Sequence, residues 1–328
     1  PDRIFEECSV YNELISSAAQ SPRTVNSAIR HAVGLGGVSV ITLPGDISDL
    51  KAVEHVPTYA PARPATLAPN ATDIEEAAAL LNKADKVAIF AGAGVEGAHD
   101  EVIALADALK APIGHSLRGK HFIQYDNPFD VGMTGLLGYG AAAEGMNDAD
   151  VLILLGTDFP YDQFLPSTPT IQVDTHAEKL GRRTDVGLAI HAQVKPFIEA
   201  LLPHLRAGRS DSFLKAKIKK HSEIMHAPVG AYTRNVEKMR PIHPEYAAHL
   251  LNETAAKDAI FTADTGMCNV WTARYIDPLG TRRLIGSLLH GSMANALPMA
   301  LGAQVAYPDR QVVSVSGDGG LSMLLGEL

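Results

Sequence analysis

Residues 86–97 read Lys86-Val87-Ala88-Ile89-Phe90-Ala91-Gly92-Ala93-Gly94-Val95-Glu96-Gly97. The strand reads from Lys86 to Phe90, apolar after its lysine, which fits burial on both faces of a parallel sheet. The glycines follow as G-x-G-x-x-G, and a helical pattern then spans Asp100 to Leu109. Strand, glycine turn and helix together open an α/β unit whose backbone can approach a pyrophosphate at a helix N-terminus. The functional reading is a dinucleotide site and the bland one is a tight turn. NAD in its usual geometry also wants a carboxylate about 20 residues onward. His115, Ser116, Leu117 and Arg118 stand there instead.

The same alternation extends outward. Thr72 caps a helix through Leu81, and strands read at Pro112-Ile113, Val151 to Leu155, Thr170 to Val173 and Val186 to Ile190. Strands alternating with helices imply a parallel sheet covered on both faces, here a complete Rossmann-like central domain over 70–205. Upstream, Ser21 reads as the N-cap and Pro22 as the first residue of a helix running from Arg23 to Val33, and Gly37 to Asp46 holds a strand closed by Pro44-Gly45. Prolines at 57, 61, 64 and 69 mark 57–69 as an extended linker. Residues 206–240 turn polar and basic around Lys215, Lys217, Lys219 and Lys220, which reads as a solvated helix and connector. A third piece, 241–328, starts with a helix at Pro244 and continues through strands Ala259 to Ala263 and Gln311 to Val315. The fold class is therefore α/β, with three-layer parallel-sheet domains, the central one complete and its neighbours partial.

The 328 residues are 46% hydrophobic and 20% charged, enough for ordinary buried cores and too apolar for a disordered chain. With 28 basic and 37 acidic residues the formal charge is 28 − 37 = −9, so a nucleic-acid partner is not expected. Two distant cysteines, Cys8 and Cys268, exclude a disulfide scaffold or zinc ribbon and read as reduced cytosolic thiols. Leu284 to Tyr307 lacks a formal charge, but His290, Asn295, Pro298 and Gln304 argue against a membrane span. A loop leading into a buried helix is the better reading. The pairs His115/His121 and His221/His226 lack the i, i+4 spacing of a helical metal site and read as packing or surface residues.

Two further sets of residues carry chemistry. Glycine-rich loops begin where central strands should end: Gly132-Met133-Thr134-Gly135-Leu136-Leu137-Gly138-Tyr139, and Gly156-Thr157-Asp158-Phe159-Pro160-Tyr161, with Asp174 closing a third strand. Ligands of open parallel sheets bind outside the carboxyl ends of strands, and loops with exposed apolar and aromatic residues suit a flat ring system. Ordinary loop glycines with structural aromatics are the alternative. The last set is the strand Val312 to Val315 delivering Ser316-Gly317-Asp318-Gly319-Gly320. Its glycines let backbone approach an anion while a carboxylate can hold Mg²⁺, an arrangement that serves a bridged diphosphate. Taken alone, Gly-Asp-Gly is usually a turn.

Together these residues resemble the thiamine-diphosphate-dependent pyruvate oxidase and quinone-dependent pyruvate dehydrogenase family. The strings that carry the resemblance include Leu117-Arg118-Gly119-Lys120, Tyr125-Asp126-Asn127-Pro128, Asp130 through Leu136, Leu155-Gly156-Thr157 and His290 through Ala296, ending with the turn from Gly317. The resemblance implies three α/β domains. Residues 1–56 would be the end of a pyrimidine-binding domain, 70–205 an FAD domain, and 241–328 the start of a diphosphate domain. It implies that Gly92 and Gly94 approach the ADP part of FAD. Met133, Thr134, Leu136, Leu137, Gly138, Tyr139, Phe159, Pro160, Tyr161, Asp162 and Gln163 would line the rest, and Asp174 would meet the adenosine end. Gly291, Ser292 and Met293 would contact thiamine diphosphate, and Asp318 would ligate Mg²⁺ with Gly319 and Gly320 beside the diphosphate.

The implied reaction is oxidative decarboxylation of pyruvate, with FAD taking two electrons and a quinone reoxidising it, so that acetate and CO₂ leave. The family's activating Glu does not match Glu6, Glu7 or Glu13, and an Asn ligand of Mg²⁺ is expected beyond the 328 − 318 = 10 residues after Asp318. The chain, which opens at Pro1, is thus expected to be a piece of a homotetrameric enzyme. It would contain no catalytic residue of its own and be inactive alone. A cytoplasmic location is expected, peripheral to the inner membrane face only through a further C-terminal segment. An acetolactate synthase-like carboligase with structural FAD, or a nucleotide-binding module without catalysis, are the alternatives.

Overall fold

The computed structural model describes residues 2–54 and 65–328, so the linker prolines at 57, 61 and 64 lie outside the described residues. The chain forms two compact units, Pro1–Thr66 and Leu67–Leu328. The first holds β1 (Tyr11–Leu14), α1 (Ser21–Leu35), β2 (Ser39–Thr42) and the short α2 (Gly45–Ser48), with β1 and β2 parallel. Pro22 sits in the first turn of α1, where its missing N–H costs nothing. Ser21 is itself helical and makes no side-chain cap, so its expected capping role is not taken up. Gly36, at φ 61°, stops the helix.

In the second unit α3 (Ala71–Lys83) begins after Asn70, so Thr72 lies inside the helix rather than capping it. There follow β3 (Val87–Ala91), α4 (His99–Leu109), β4 (Ile113–His115), α5 (Lys120–Ile123), β5 (Asp130–Met133), β6 (Tyr139–Gly140), α6 (Ala142–Asn147), β7 (Val151–Leu155), β8 (Thr170–Asp174) and β9 (Leu188–His191). These strands form one sheet in the order β6-β5-β4-β3-β7-β8-β9, parallel throughout except that β6 runs against β5. Every residue of β3 and β7 is buried. Helices α3, α4 and α7 (Val194–Leu201) close one face through Ile74, Leu81, Val102, Leu105, Phe197 and Leu201. Each such side chain contributes roughly 1.5–3 kcal/mol on burial, which is why this run decides the fold.

Helix α8 (Ser212–Ile224) leaves Lys215, Lys219 and Lys220 exposed, as a solvated helix would, and corrects that reading at Lys217. Lys217 is buried, and its Nζ donates to Glu144 Oε1 at 2.6 Å and Asp148 Oδ2 at 2.5 Å on α6. A buried lysine needs such partners, and sequence distance hides them.

The remainder comprises α9 (Pro244–Thr254), β10 (Ile260–Ala263), α10 (Met267–Tyr275), β11 (Arg283–Gly286), α11 (Ala296–Ala306), β12 (Val312–Val315) and α12 (Asp318–Met323). Its parallel sheet has the order β11-β10-β12. Contrary to the expectation of a buried helix, α11 buries only Ala296 and Leu297, while Leu301 and Val305 are exposed. A helix apolar on all sides needs cover on more than one face; the strands of this sheet cover one. Among the described residues no helix is long and apolar enough to cross a membrane.

Candidate functional sites at two sheet edges

Because the chain moves from β3 to β4 on one side and later returns to β7 on the other, the seven-stranded sheet reverses its winding between β3 and β7. Ligand crevices of open α/β sheets form at the carboxyl ends flanking such a reversal. Here those ends are Gly92 and Gly156. The Gly92 N–H donates to the Leu155 carbonyl at 2.9 Å, and the Gly94 N–H to the Gly156 carbonyl at 2.9 Å. A Cβ at Gly92 would lie closer than 3.0 Å to Gly156 O and Thr157, and one at Gly94 would meet the Gly156 backbone. These glycines let two loops cross, and neither amide is free to meet a phosphate.

The other loops expected to line a ligand do gather at this edge. Met133 ends β5 and Thr134 follows it, both buried, Leu136 projects outward at 64% exposure, and Leu137 and Gly138 are half-buried. A Cβ at Gly135 would touch Phe159 at 3.0 Å and Tyr161 at 3.5 Å, so the 133–139 and 157–163 loops are in contact. Phe159 is buried edge-on against Phe90 at 5.0 Å and serves the core, whereas Pro160, Asp162 and Gln163 are exposed. Asp174 is buried and accepts from the His176 N–H at 2.9 Å. Exposed Leu136 beside half-buried Tyr161 fits a flat ring. The engaged glycine amides do not by themselves fit a pyrophosphate.

Sequence reasoning missed a polar network under this edge. Lys120, 2% exposed, donates to Tyr139 Oη at 3.1 Å and to Gln124 Oε1. Gln124 Nε2 donates to Tyr139 Oη at 2.9 Å and to Asp130 Oδ2 at 3.2 Å. His115 is fully buried, with Nε2 3.5 Å from Asp130 Oδ1. Burial foremost lowers its pKa to about 4, against the pull of Asp130. His121 is lowered to about 4 by burial and then by Arg283. The string Leu117 to Lys120 carried the only hint of this network. A cleft of about 430 Å³ lies nearby, lined among others by Glu96, Gly97, His121, Tyr125, Lys195 and Arg283. Its charges are mixed, unlike an apolar ring slot.

The second edge belongs to the three-stranded sheet. The chain crosses from β10 to β11 on one side and to β12 on the other, so Asp264 and the Gly317–Gly320 turn emerge side by side. The Asp264 N–H donates to the Val315 carbonyl at 3.1 Å. Asp318 is exposed at the start of α12, and Gly320 is buried against Asp264. A Cβ at Gly319 would lie 3.1 Å from Met293 Cε, which joins Gly291, Ser292 and Met293 to the Asp318–Gly320 turn. Asp264 is 1% exposed, and its Oδ2 has no hydrogen-bond partner among the described residues. Cys268 Sγ donates to the Asp264 carbonyl at 3.1 Å, and burial first of all pushes this thiol up, away from nucleophilic use.

A glycine cradle and an exposed carboxylate fit a diphosphate with a divalent cation, Asp318 supplying one ligand. No group of three or more His, Cys, Asp or Glu able to hold a metal occurs among the described residues. Any cation there would complete its shell from the diphosphate, water or other donors.

Comparison with known proteins agrees with this geometry. Residues 74–201 match the thiamine pyrophosphate enzyme central domain, and 264–328 match the C-terminal thiamine-pyrophosphate-binding domain. The chain is 32% identical over all of its length to 57% of the putative thiamine pyrophosphate-containing protein YdaP of Bacillus subtilis. It is 26% identical over 99% of its length to 55% of the pyruvate oxidase of Lactiplantibacillus plantarum. A probable acetolactate synthase large subunit of Methanocaldococcus jannaschii is 28% identical, with 99% of this chain covering 58% of that protein. The chain thus spans a little over half the length of the curated relatives it matches.

Proposed function

The chain carries the central and C-terminal domains of the thiamine pyrophosphate enzyme family, and we propose that its protein oxidatively decarboxylates pyruvate with thiamine diphosphate, Mg²⁺ and FAD. Quinone is the proposed electron acceptor, acetate and CO₂ the products, and a homotetramer the working assembly. The observation that carries the reading is the meeting of Met293 with the Asp318–Gly320 turn, beyond the carboxyl ends of β11 and β12 that flank β10. When bound, thiamine diphosphate supplies the nucleophilic carbon and the electron sink for loss of CO₂, and FAD the two-electron acceptor.

The chain's own residues bind and orient. Asp318 would hold Mg²⁺, Gly319 and Gly320 would admit the diphosphate, and Gly291, Ser292 and Met293 would hold the thiamine portion. At the other edge Leu136, Leu137 and Tyr161 would give FAD an apolar wall. Similarity to an acetolactate synthase at 28% identity supports a second reading, carboligation of 2-oxo acids with a flavin that stays oxidised. Anaerobic addition of pyruvate to the full-length protein, loaded with both cofactors and Mg²⁺, separates them. Bleaching of the flavin absorbance is expected. An unbleached flavin with acetolactate accumulating would establish the second reading instead.

A further inference from the structure

The carboxyl ends of all three strands in the small sheet are tied by one pair of residues, Asp264 and Asn295. Asp264 follows β10, and its N–H holds the Val315 carbonyl at the end of β12. Its Oδ1 accepts from the Ala296 N–H at 2.8 Å, the first residue of α11, and from Asn295 Nδ2 at 3.3 Å. Asn295 Nδ2 also donates to the Ser292 carbonyl at 2.7 Å, while its Oδ1 accepts from the Ser287 N–H at 3.0 Å, just past β11. The other Asp264 oxygen presses on Gly320, where any Cβ would come closer than 3.0 Å to it.

We infer that Asp264 is a positioning residue: with Asn295 it clamps the Gly291–Met293 turn against the Asp318–Gly320 turn before any cofactor arrives. The inference rests on the thiamine diphosphate reading of those turns. It deepens that reading by assigning their mutual placement to a buried carboxylate that acts through the two turns. Oδ1 does the clamping through its acceptor capacity. Oδ2 enforces glycine at 320, so Gly320 is set by this contact as well as by whatever binds there. Without the clamp, the Ser292 carbonyl and the α11 N-terminus lose their fixed partners, and ordering them falls on the ligand, which binds more weakly for it.

The test is titration of the full-length protein with thiamine diphosphate at saturating Mg²⁺, followed by quenching of Trp271, with the melting temperature of each variant recorded alone. Asp264→Ala is expected to weaken binding tenfold or more. Asp264→Asn keeps an acceptor at Oδ1 and should stay within threefold of wild type. Asn295→Ala, which leaves Asp264 in place, should fall between them. A failure of wild-type protein to bind thiamine diphosphate would defeat the functional reading on which the inference rests. Given wild-type binding, an Asp264→Ala affinity equal to wild type, or an Asn variant as weak as Ala, overturns the clamp. Should Asp264→Ala fail to fold, unchanged affinity in both Asn295→Ala and Asp264→Asn would overturn it equally.

Discussion

Arg282 offers a stability test of the sheet that carries the Asp318–Gly320 turn. It is 3% exposed, and its guanidinium stands at the carboxyl end of α9. Nη1 donates to Asn252 Oδ1 at 2.7 Å, Nη2 to the carbonyls of Asn252 at 3.0 Å and Ala255 at 2.8 Å, and Nε to the Ala256 carbonyl at 3.0 Å. Four short bonds at about 1 kcal/mol net apiece come to ~4 kcal/mol. Arg282→Ala should therefore cost ~4 kcal/mol, read as a lowered urea midpoint in the full-length protein. Hydrogen exchange should localise the loss, with faster exchange in 244–263 and 283–286 and unchanged exchange in 87–91 and 151–155. Arg282→Lys keeps the charge without the planar fork and should recover less than half of the loss. A cost below about 1 kcal/mol for the Ala variant would refute the reasoning, because the four carbonyl and amide acceptors would then be finding water at no penalty.

Two further outcomes follow from the other sheet edge. His115 has its folded pKa lowered to about 4, below the ordinary histidine value of 6.5, so the unfolded chain binds the extra proton first. The stability it contributes is complete above pH 6.5 and is lost as pH falls toward 4; His121 acts in the same direction. His115→Gln should flatten the fall of the urea midpoint over that window, and an unchanged slope would count against a buried neutral imidazole. Gly92→Ala would drive a methyl into Gly156 O and Thr157 Cβ, and the clash with backbone should lower stability by about 2 kcal/mol or more. That loss should appear equally with and without FAD, since the contact lies within the chain; a loss seen only in FAD affinity would point to a ligand contact instead.

The strands of the central sheet were legible because they are long apolar runs: Val151 to Leu155 has the boundaries that its sequence suggests, and β3 is shifted by one residue. Strands β5 and β6 were not legible, since Asp130–Met133 and Tyr139–Gly140 are short, glycine-bearing and paired by tertiary packing rather than by propensity. Glycine spacing correctly marked a close approach at Gly92 and Gly94, but a one-dimensional pattern does not say whether the approaching atoms belong to a ligand or to Gly156. Gly-Asp-Gly and the Gly291–Met293 turn were readable as motifs. Asp264 was not, because its meaning lies in three strand ends that meet only in space. Lys217 likewise looked solvated until α6 supplied Glu144 and Asp148, some 70 residues away.

The winding reversal at β3 also bears on synthesis. β3 is the earliest strand of its sheet in the chain, yet it sits in the middle, and its second neighbour is complete only at Leu155, 155 − 91 = 64 residues after β3 ends. At about 5–20 residues per second on the ribosome, Val87–Ala91 emerges with both edges unpaired and waits roughly 3–13 s for closure. During that interval an entirely apolar strand offers its backbone to any other chain nearby. The yield of native protein should then depend on translation speed through codons 92–155 and on chaperone supply, more than on the stability of the finished fold.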